Sequence, residues 1–397
     1  MRAIIIGGGV AGSAAALALR HVGVEVTLYE AYADPAGDVG SFVSLASNGL
    51  RGLAALGCLT PVQQAGIEIP RQRMWSAGGR LLGDVPRGRR GADRLHSVTL
   101  MRARLVATLR EAAVAAGARI TTGERATGVA ETPGRVTATG EQATSVTETP
   151  GGVTVEFAGG RRDSADLLIA ADGIWSTVRG LLDPGAPEPE YAGLYAVSGV
   201  SQLDGVQPGV FNLTFARNGA FIHLAAGPGE VWWQAQIADP AEPSRDDNGW
   251  LRRTAELYRR EAVPSAVIAA TTRLHPPVIF HALDPVPTWH TDRTVVIGDA
   301  AHPVGAGQGA SMAIEDAVAL AAAVRAEPSP AAALAAYDAR RRPRIAKLLG
   351  TAEDNRGLKR AGPVKRQVQA ATMRLFVPLF YERATAWLYS HEPERLR

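Results

Sequence analysis

The sequence holds a single cysteine, Cys58. No intrachain disulfide can form, and no cysteine-based metal site can be assembled. Cys58 lies in the apolar Leu56-Gly57-Cys58-Leu59, where a free thiol behaves as buried filler. No apolar run approaches the ~20 residues that a membrane-spanning helix needs. The strand-like Ala3-Ile4-Ile5-Ile6 comes so early that no signal peptide fits before it. A cytoplasmic protein without membrane association is expected. Charge of one sign is also missing. The 42 basic and 39 acidic residues leave a net +3, too little to argue for a nucleic-acid partner. Short arginine runs such as Arg87-Gly88-Arg89-Arg90 read as solvated loops and not as a binding patch. No ligand cluster for a metal is visible, so none is expected.

What remains is a globular composition. The 397 residues are 46% hydrophobic and 20% charged, enough for two to three domains' worth of core at about 150 residues each. Three separated stretches carry the chemistry. In the first, Ala3 to Ile6 reads as a buried strand, Gly7-Gly8-Gly9-Val10-Ala11-Gly12 as a turn, and Ser13 to Arg20 as a helix. A second strand, Val24 to Tyr29, ends in Glu30. Gly7, Gly9 and Gly12 form G-x-G-x-x-G in the setting that a dinucleotide fingerprint requires. Gly7 permits the turn, Gly9 admits a pyrophosphate and Gly12 lets helix pack on strand. Glu30 can accept hydrogen bonds from a ribose diol and would repel a 2′-phosphate, which favours FAD or NAD over NADP.

In the second stretch, the strand Ala165 to Ala171 ends in Asp172-Gly173, with Ser176 and Arg179 following. In the third, Val295-Val296-Ile297 ends in Gly298-Asp299-Ala300-Ala301-His302-Pro303. Gly305, Gly307, Gln308 and Gly309 then lead through Ala310 and Ser311 into an Ala-rich helix. Such a loop lets a flat or charged object approach the backbone, and the helix start turns N–H groups and a positive dipole end towards it.

Between these stretches, Gly40 to Leu45 reads as a loop crossing a bound nucleotide. Arg71 to Leu82 reads as a hairpin turning at Gly78-Gly79. A helix opening at Thr99 carries Arg102, the favoured phosphate or ribose contact, with Arg104 the second choice. Val129 to Thr137 and Val146 to Thr154 are near-repeats that suggest a duplicated β-ribbon. From Tyr191 to Ile237 strand-like runs alternate with turns, including Asn218-Gly219. This predicts an antiparallel sheet and a second domain. Phe211, Phe215, Phe221, Trp232, Trp233 and His223 could line an apolar pocket or simply form sheet core. Leu251 to Ala270 reads as helical, His275 to Pro287 as irregular, and the chain after Pro343 as basic and helical.

With these motifs in this order, the chain resembles the class A flavoprotein monooxygenases, the para-hydroxybenzoate hydroxylase family, over nearly its whole length. The resemblance implies an α/β fold. A Rossmann-like FAD-binding domain (1–70, 97–185 and 288–350) is interleaved with an antiparallel substrate-binding sheet domain (71–96 and 186–287), and helices follow at 351–397. It implies FAD held non-covalently by Gly7, Gly9, Ala11, Gly12, Glu30, Arg102, Asp172, Gly298, Asp299, Gly307, Gly309 and Ala310. Asp299 would bond the ribitol chain, and Gly309 and Ala310 would offer N–H groups to the pyrimidine edge of the flavin. Because only one fingerprint exists, NADPH or NADH would be a transient reductant. Dioxygen would then react at flavin carbon 4a, as a hydroperoxide, to hydroxylate or epoxidise an aromatic or polycyclic small molecule. His223 is a candidate base, Arg217 a candidate for binding an acidic group, and His302 a further catalytic candidate. A monomer or homodimer is expected. A flavin oxidase or dehydrogenase, or a flavoprotein that only sequesters a ligand, would share the same motifs. The loop from His302 to Gly307 is shorter than the resemblance leads one to expect, and Ser311 stands where relatives often carry Asn.

Overall fold

The computed structural model describes residues 1–33, 41–123, 143–149, 151–157, 160–244, 248–304, 307–359 and 363–396. A parallel sheet of five strands forms the centre of the larger part. Its order is Thr294–Val296, Leu167–Ala170, Arg2–Ile6, Glu25–Glu30 and Arg119–Thr122. Its three middle strands are buried almost throughout, which explains why they read as continuous β-branched and aliphatic runs. Helix Val10–His21 crosses from the first strand to the next, and helices Arg102–Ala115 and Gly309–Ala326 pack against it. Ala14, Ala15, Ala16 and Ala18 are fully buried, so the helices approach each other and the sheet closely.

The second sheet is mainly antiparallel. Strands Val210–Ala216, Gly219–Gly227 and Glu230–Ala238 meander, Glu190–Gln202 pairs with the last of them, and the hairpin Arg71–Ser76 and Leu81–Pro86 joins through a parallel contact with Val210–Ala216. Two further strands, Thr271–Leu274 and Val278–Ala282, pair with Glu190–Gln202. The second of these forms inside the stretch expected to be irregular, because the prolines flank it (Pro276 and Pro277 before, Pro285 and Pro287 after) and Ile279 turns into the core. Other differences are local. Phe42–Leu45 is a strand, not a loop, and pairs with Ser97–Met101. That strand in turn delays the next helix to Arg102. The helical stretch after Asp247 divides into Trp250–Tyr258 and Ala262–Ala269. The second copy of the near-repeat lies in the hairpin of Ala143–Thr149 and Gly152–Phe157; the first copy and Gly40 fall outside the described residues.

The chain ends in two long helices, Pro330–Lys359 and Pro363–Tyr389. Cys58 is buried, and burial pushes its thiol up, as expected of filler. Among the described residues no helix is long and apolar enough to cross a membrane. Among them, also, no group of three or more His, Cys, Asp or Glu could hold a metal ion.

Candidate active site

Strands Arg2–Ile6, Leu167–Ala170 and Thr294–Val296 are adjacent and parallel, so the three motif loops leave one edge of the sheet together. This is where open α/β sheets bind ligands. Gly7 has φ +102°, and a Cβ there would lie 2.3 Å from the Ala171 carbonyl oxygen. The first and second motifs therefore touch. Gly298 has φ +58°, and its Cβ would lie 2.8 Å from that of Ala11, so the first and third touch as well. Gly12 is closed tightest, with the Gly7 carbonyl oxygen 1.8 Å from a would-be Cβ.

Gly9 differs from these. A Cβ there would meet only Arg102 Nη2, at 3.5 Å, and its backbone is extended. The packing of the protein does not demand glycine at this position. Glu30 is buried and accepts hydrogen bonds from the backbone N–H of Gly8 (2.5 Å) and Tyr32 (2.8 Å). That fixes its carboxylate beside the glycine turn. Arg102 lies next to Gly9, while Arg104 is exposed to solvent.

Asp172 accepts a hydrogen bond from the Val178 N–H (3.2 Å), while its Oδ1 is buried without a partner. Burial raises its pKa against the hydrogen bonds of Ser176 and the local backbone. Ser176 and Arg179, which follow the second motif, are used within the protein. Ser176 Oγ caps helix Thr177–Leu182 by accepting from Arg179 N (2.9 Å). The buried Arg179 guanidinium donates to the carbonyls of Ala300 (3.0 Å) and Ile174 (2.9 Å), tying the second motif to the third.

Asp299 has a divided environment. Its side chain is exposed, yet the surrounding protein desolvates the carboxyl and raises its pKa; His302 and Arg102 act in the opposite direction. A group that lines an enclosed space has both properties. Its carboxyl hydrogen-bonds to no described residue, and Oδ1 would lie 3.7 Å from a Cβ on Gly309. Gly309 and Ala310 open helix Gly309–Ala326, and Gly307 takes φ +121° just before it. Glycines that clear space, a carboxyl without a partner and an arginine beside a helix start all face the same side. These are the groups a dinucleotide with hydroxyl and phosphate arms requires, so the residues fit FAD.

The proposed catalytic residues do not gather there. His302 is buried, with Nε2 bonded to Asp316 Oδ2 (2.7 Å) and its ring against Trp289. It anchors the loop. His223 lies on the wrong face of the second sheet. Side chains alternate across a strand, so His223 shares a face with Phe221, Trp233 and Tyr195, which helices Trp250–Tyr258 and Ala262–Ala269 cover. Burial there pushes its imidazole down to about 4. Arg217 is held by Glu261, at the start of the second of those helices, through its backbone N–H (3.1 Å) and its guanidinium (3.3 Å). Its charge is answered within the protein.

The opposite face carries Phe211, Leu213, Ile222, Leu224 and Trp232, and these meet Phe42 and Ile67 of the larger part. Phe42 and Trp232 stack at 6.0 Å. The aromatic residues pooled in the sequence thus divide between two faces. Arg87, read as a solvated loop residue, is on this inner side, with its guanidinium carbon 3.3 Å from the centre of the Phe211 ring. Arg87 follows strand Leu81–Pro86 directly, two residues after the buried Val85.

The parallel sheet, its glycine-lined edge and the facing apolar sheet define a flavin-dependent oxidoreductase of the single-fingerprint type. Comparisons with known proteins agree. The profile of the FAD-binding-domain family matches residues 1–352. The chain is 29% identical to the aurachin C monooxygenase/isomerase of Stigmatella aurantiaca, over 85% of this chain and 84% of that one. It is 30% identical to the kynurenine 3-monooxygenase of Salinispora arenicola, over 86% and 76%. A solved structure of Klebsiella pneumoniae HpxO with FAD and uric acid superposes with a TM-score of 0.79 at 23% identity, covering 94% of this chain and 92% of that one. The chain belongs to the FAD-binding-domain family and is an FAD-dependent monooxygenase of class A.

Proposed function

We propose that the chain uses NADPH or NADH and dioxygen to hydroxylate or epoxidise an aromatic or polycyclic small molecule between the glycine-lined edge and the inner face of the second sheet, in the cytoplasm. The observation that carries this reading is the meeting of three motif loops on one side with Phe42, Phe211 and Trp232 on the other. FAD, when bound, supplies hydride acceptance and dioxygen activation. The protein's part is to hold, orient and keep dry.

In this reading Gly7, Gly9, Ala11 and Gly12 receive the ADP half of FAD, with Glu30 on the ribose diol and Arg102 at the phosphates. Asp299 accepts from the ribitol hydroxyls, and Asp172, with its free Oδ1, borders the same space. Gly309 and Ala310 present N–H groups to the pyrimidine edge. The dipole of their helix favours negative charge there by about 0.3–1 kcal/mol, up to ~2 when partly buried. The aliphatic and aromatic inner face excludes water from the substrate. Residues 71–96 and 186–287 serve as the substrate domain, and 1–70, 97–185 and 288–350 as the cofactor domain.

Asp299→Ala is expected to purify without FAD while melting no lower than the wild-type protein stripped of FAD, because it removes a desolvated carboxyl with no protein partner. Stoichiometric yellow cofactor in that variant would end the ribitol role. The reaction class is tested by mixing holoprotein with NADPH or NADH under nitrogen, with candidate phenols present. Bleaching of the flavin followed by an oxygenated product in air is the expected result. A flavin that stays oxidised until substrate alone is added would instead indicate a dehydrogenase.

A further inference from the structure

We propose that Asn48 is a positioning residue for the flavin: it fixes where the helix start at Gly309 and Ala310 stands, and so raises the reduction potential of the bound cofactor. The proposal rests on the reading above for the position of FAD and goes beyond it in naming what holds that helix start. Asn48 lies in the first turn of helix Ser47–Ala55, which follows the edge strand Phe42–Leu45. It is fully buried. Its Nδ2 donates to Glu315 Oε1 (2.7 Å) and reaches Gln308 Oε1 at 3.5 Å. The Glu315 carboxylate also takes Arg341 and Arg344, and as an acceptor only it fixes which end of the amide faces it. Asn48 Oδ1 is left buried with no partner among the described residues. An unpaired buried amide oxygen is costly. The amide that carries it spans Gln308, just before helix Gly309–Ala326, and Glu315 within that helix.

The two helices meet without slack on the same face. A Cβ on Gly49 would lie 2.6 Å from Ser311 Oγ and 3.0 Å from Ser311 Cα, and one on Gly52 would lie 2.6 Å from Ile314 Cγ2. The Ala46 N–H donates to Ser311 Oγ at 3.4 Å. Asn48, Gly49 and Gly52 thus seat one helix on residues 308–315, the beginning of the other. Behind it, Ser47 Oγ donates to the Tyr389 carbonyl (3.0 Å), so the end of helix Pro363–Tyr389 backs the contact. Close-packed elements shift together instead of yielding locally. No side chain caps helix Gly309–Ala326, which leaves its first N–H groups and positive dipole end for a ligand. Donors fixed in advance favour the state of a ligand that carries more negative charge. For a flavin that is the reduced state, so a displaced helix start lowers the potential.

The experiment uses the FAD-loaded full chain and measures the midpoint potential of the bound flavin under nitrogen, beside a thermal melt. Asn48→Leu is expected to keep FAD and to lose about tenfold or more of its preference for reduced over oxidised cofactor, a fall of about 30 mV for a two-electron couple. Gly49→Ala should shift the potential in the same direction, because its methyl group pushes against Ser311. The double variant Gly49→Ala/Ser311→Gly, which clears that space, should restore the preference to within about twofold of wild type. Leu53→Ala opens a cavity under the same helix. It should lower the melting temperature and leave the potential where it was. An unmoved potential in Asn48→Leu, an equal shift in Leu53→Ala, or a double variant no closer to wild type than Gly49→Ala would each overturn the proposal. A wild-type chain that takes up no FAD would instead end the flavin reading itself. If Asn48→Leu does not fold, Gly49→Ala and its double variant decide by the same criteria.

Discussion

Gly9→Val is expected to fold, to melt close to the wild-type protein stripped of FAD, and to purify colourless. Its neighbour in the same motif, Gly12→Val, is expected not to fold. The two substitutions add the same atoms to one loop, yet they meet different surroundings. At Gly9 the backbone already has an extended conformation open to any residue, and the nearest atom is the end of a flexible arginine at 3.5 Å. The cost to the protein is that of a poorer helix cap, about 1 kcal/mol or less. The added methyl groups instead occupy the space before the helix start, where a pyrophosphate would approach. At Gly12 the new Cβ would lie 1.8 Å from a backbone carbonyl, which no rotamer relieves, at a cost upward of about 3 kcal/mol. Thermal melts and the flavin-to-protein absorbance ratio measure both outcomes. A yellow Gly9→Val protein would remove the pyrophosphate from this loop.

The second large effect is expected at Asp316, which the motif reading passed over. Asp316 is fully buried and accepts from the Gly298 N–H (3.0 Å), His302 Nε2 (2.7 Å) and Arg341 Nε (2.7 Å). It holds the turn that aims Asp299, and it joins that turn to helices Gly309–Ala326 and Pro330–Lys359. Glu315 beside it receives Arg341, Arg344 and the Asn48 amide. Asp316→Ala leaves the buried His302 without its carboxylate partner and Arg341 with Glu315 alone. Breaking such a pair costs about 3–5 kcal/mol, and the loosened turn should lower FAD retention as well.

The pH dependence follows from the same contacts. Burial would raise the Asp316 carboxyl, but His302 and Arg341 outweigh it and hold it well below the usual carboxylate range. Arg344 and Arg341 likewise outweigh burial at Glu315 and lower it. A group depressed in the folded state stabilises fully above its unfolded pKa, about 3.9 for Asp. That stability is lost as pH falls from there towards the folded value. Wild type should therefore lose stability steeply below about pH 4, and Asp316→Asn should lose it less steeply, Glu315 retaining part of the slope. Melting curves across the acidic range decide this, and parallel slopes would mean that the network carries no such linkage.

The cofactor side of the site was legible because its requirements are local. A strand followed by G-x-G-x-x-G, a helix and a second strand ending in an acid satisfies short-range rules of turn, dipole and close packing. The chain must obey those rules wherever it lies, so the strand before Gly7, the helix from Val10 and the strand ending in Glu30 form where the sequence places them. Strand ends at Ala170 and Val296 were legible for the same reason, since buried parallel strands appear as unbroken apolar runs.

The substrate side was not legible, because its requirements are set between distant segments. Alternation along Gly219–Gly227 and Glu230–Ala238 marks two faces of a sheet. Which face meets the flavin side depends on where Phe42 and helix Trp250–Tyr258 come to rest, and neither is a neighbour in sequence. His223 and Trp233 therefore looked like pocket residues and are core, while Trp232, one residue away, lies on the opposite face. Arg87 looked like one of several solvated arginines; only the hairpin's contact with Phe211 and the closing C-terminal helix takes it out of water. Arg179, Asp316 and Arg341 bind the motifs to one another over large separations in the chain. The chain's own order determined which cofactor it holds, since a dinucleotide is gripped by backbone geometry that local sequence encodes. Only the folded arrangement decided which side chains of the second sheet turn towards the larger part and which lie under the helices, because a side chain's surroundings come from whatever the rest of the chain packs against it.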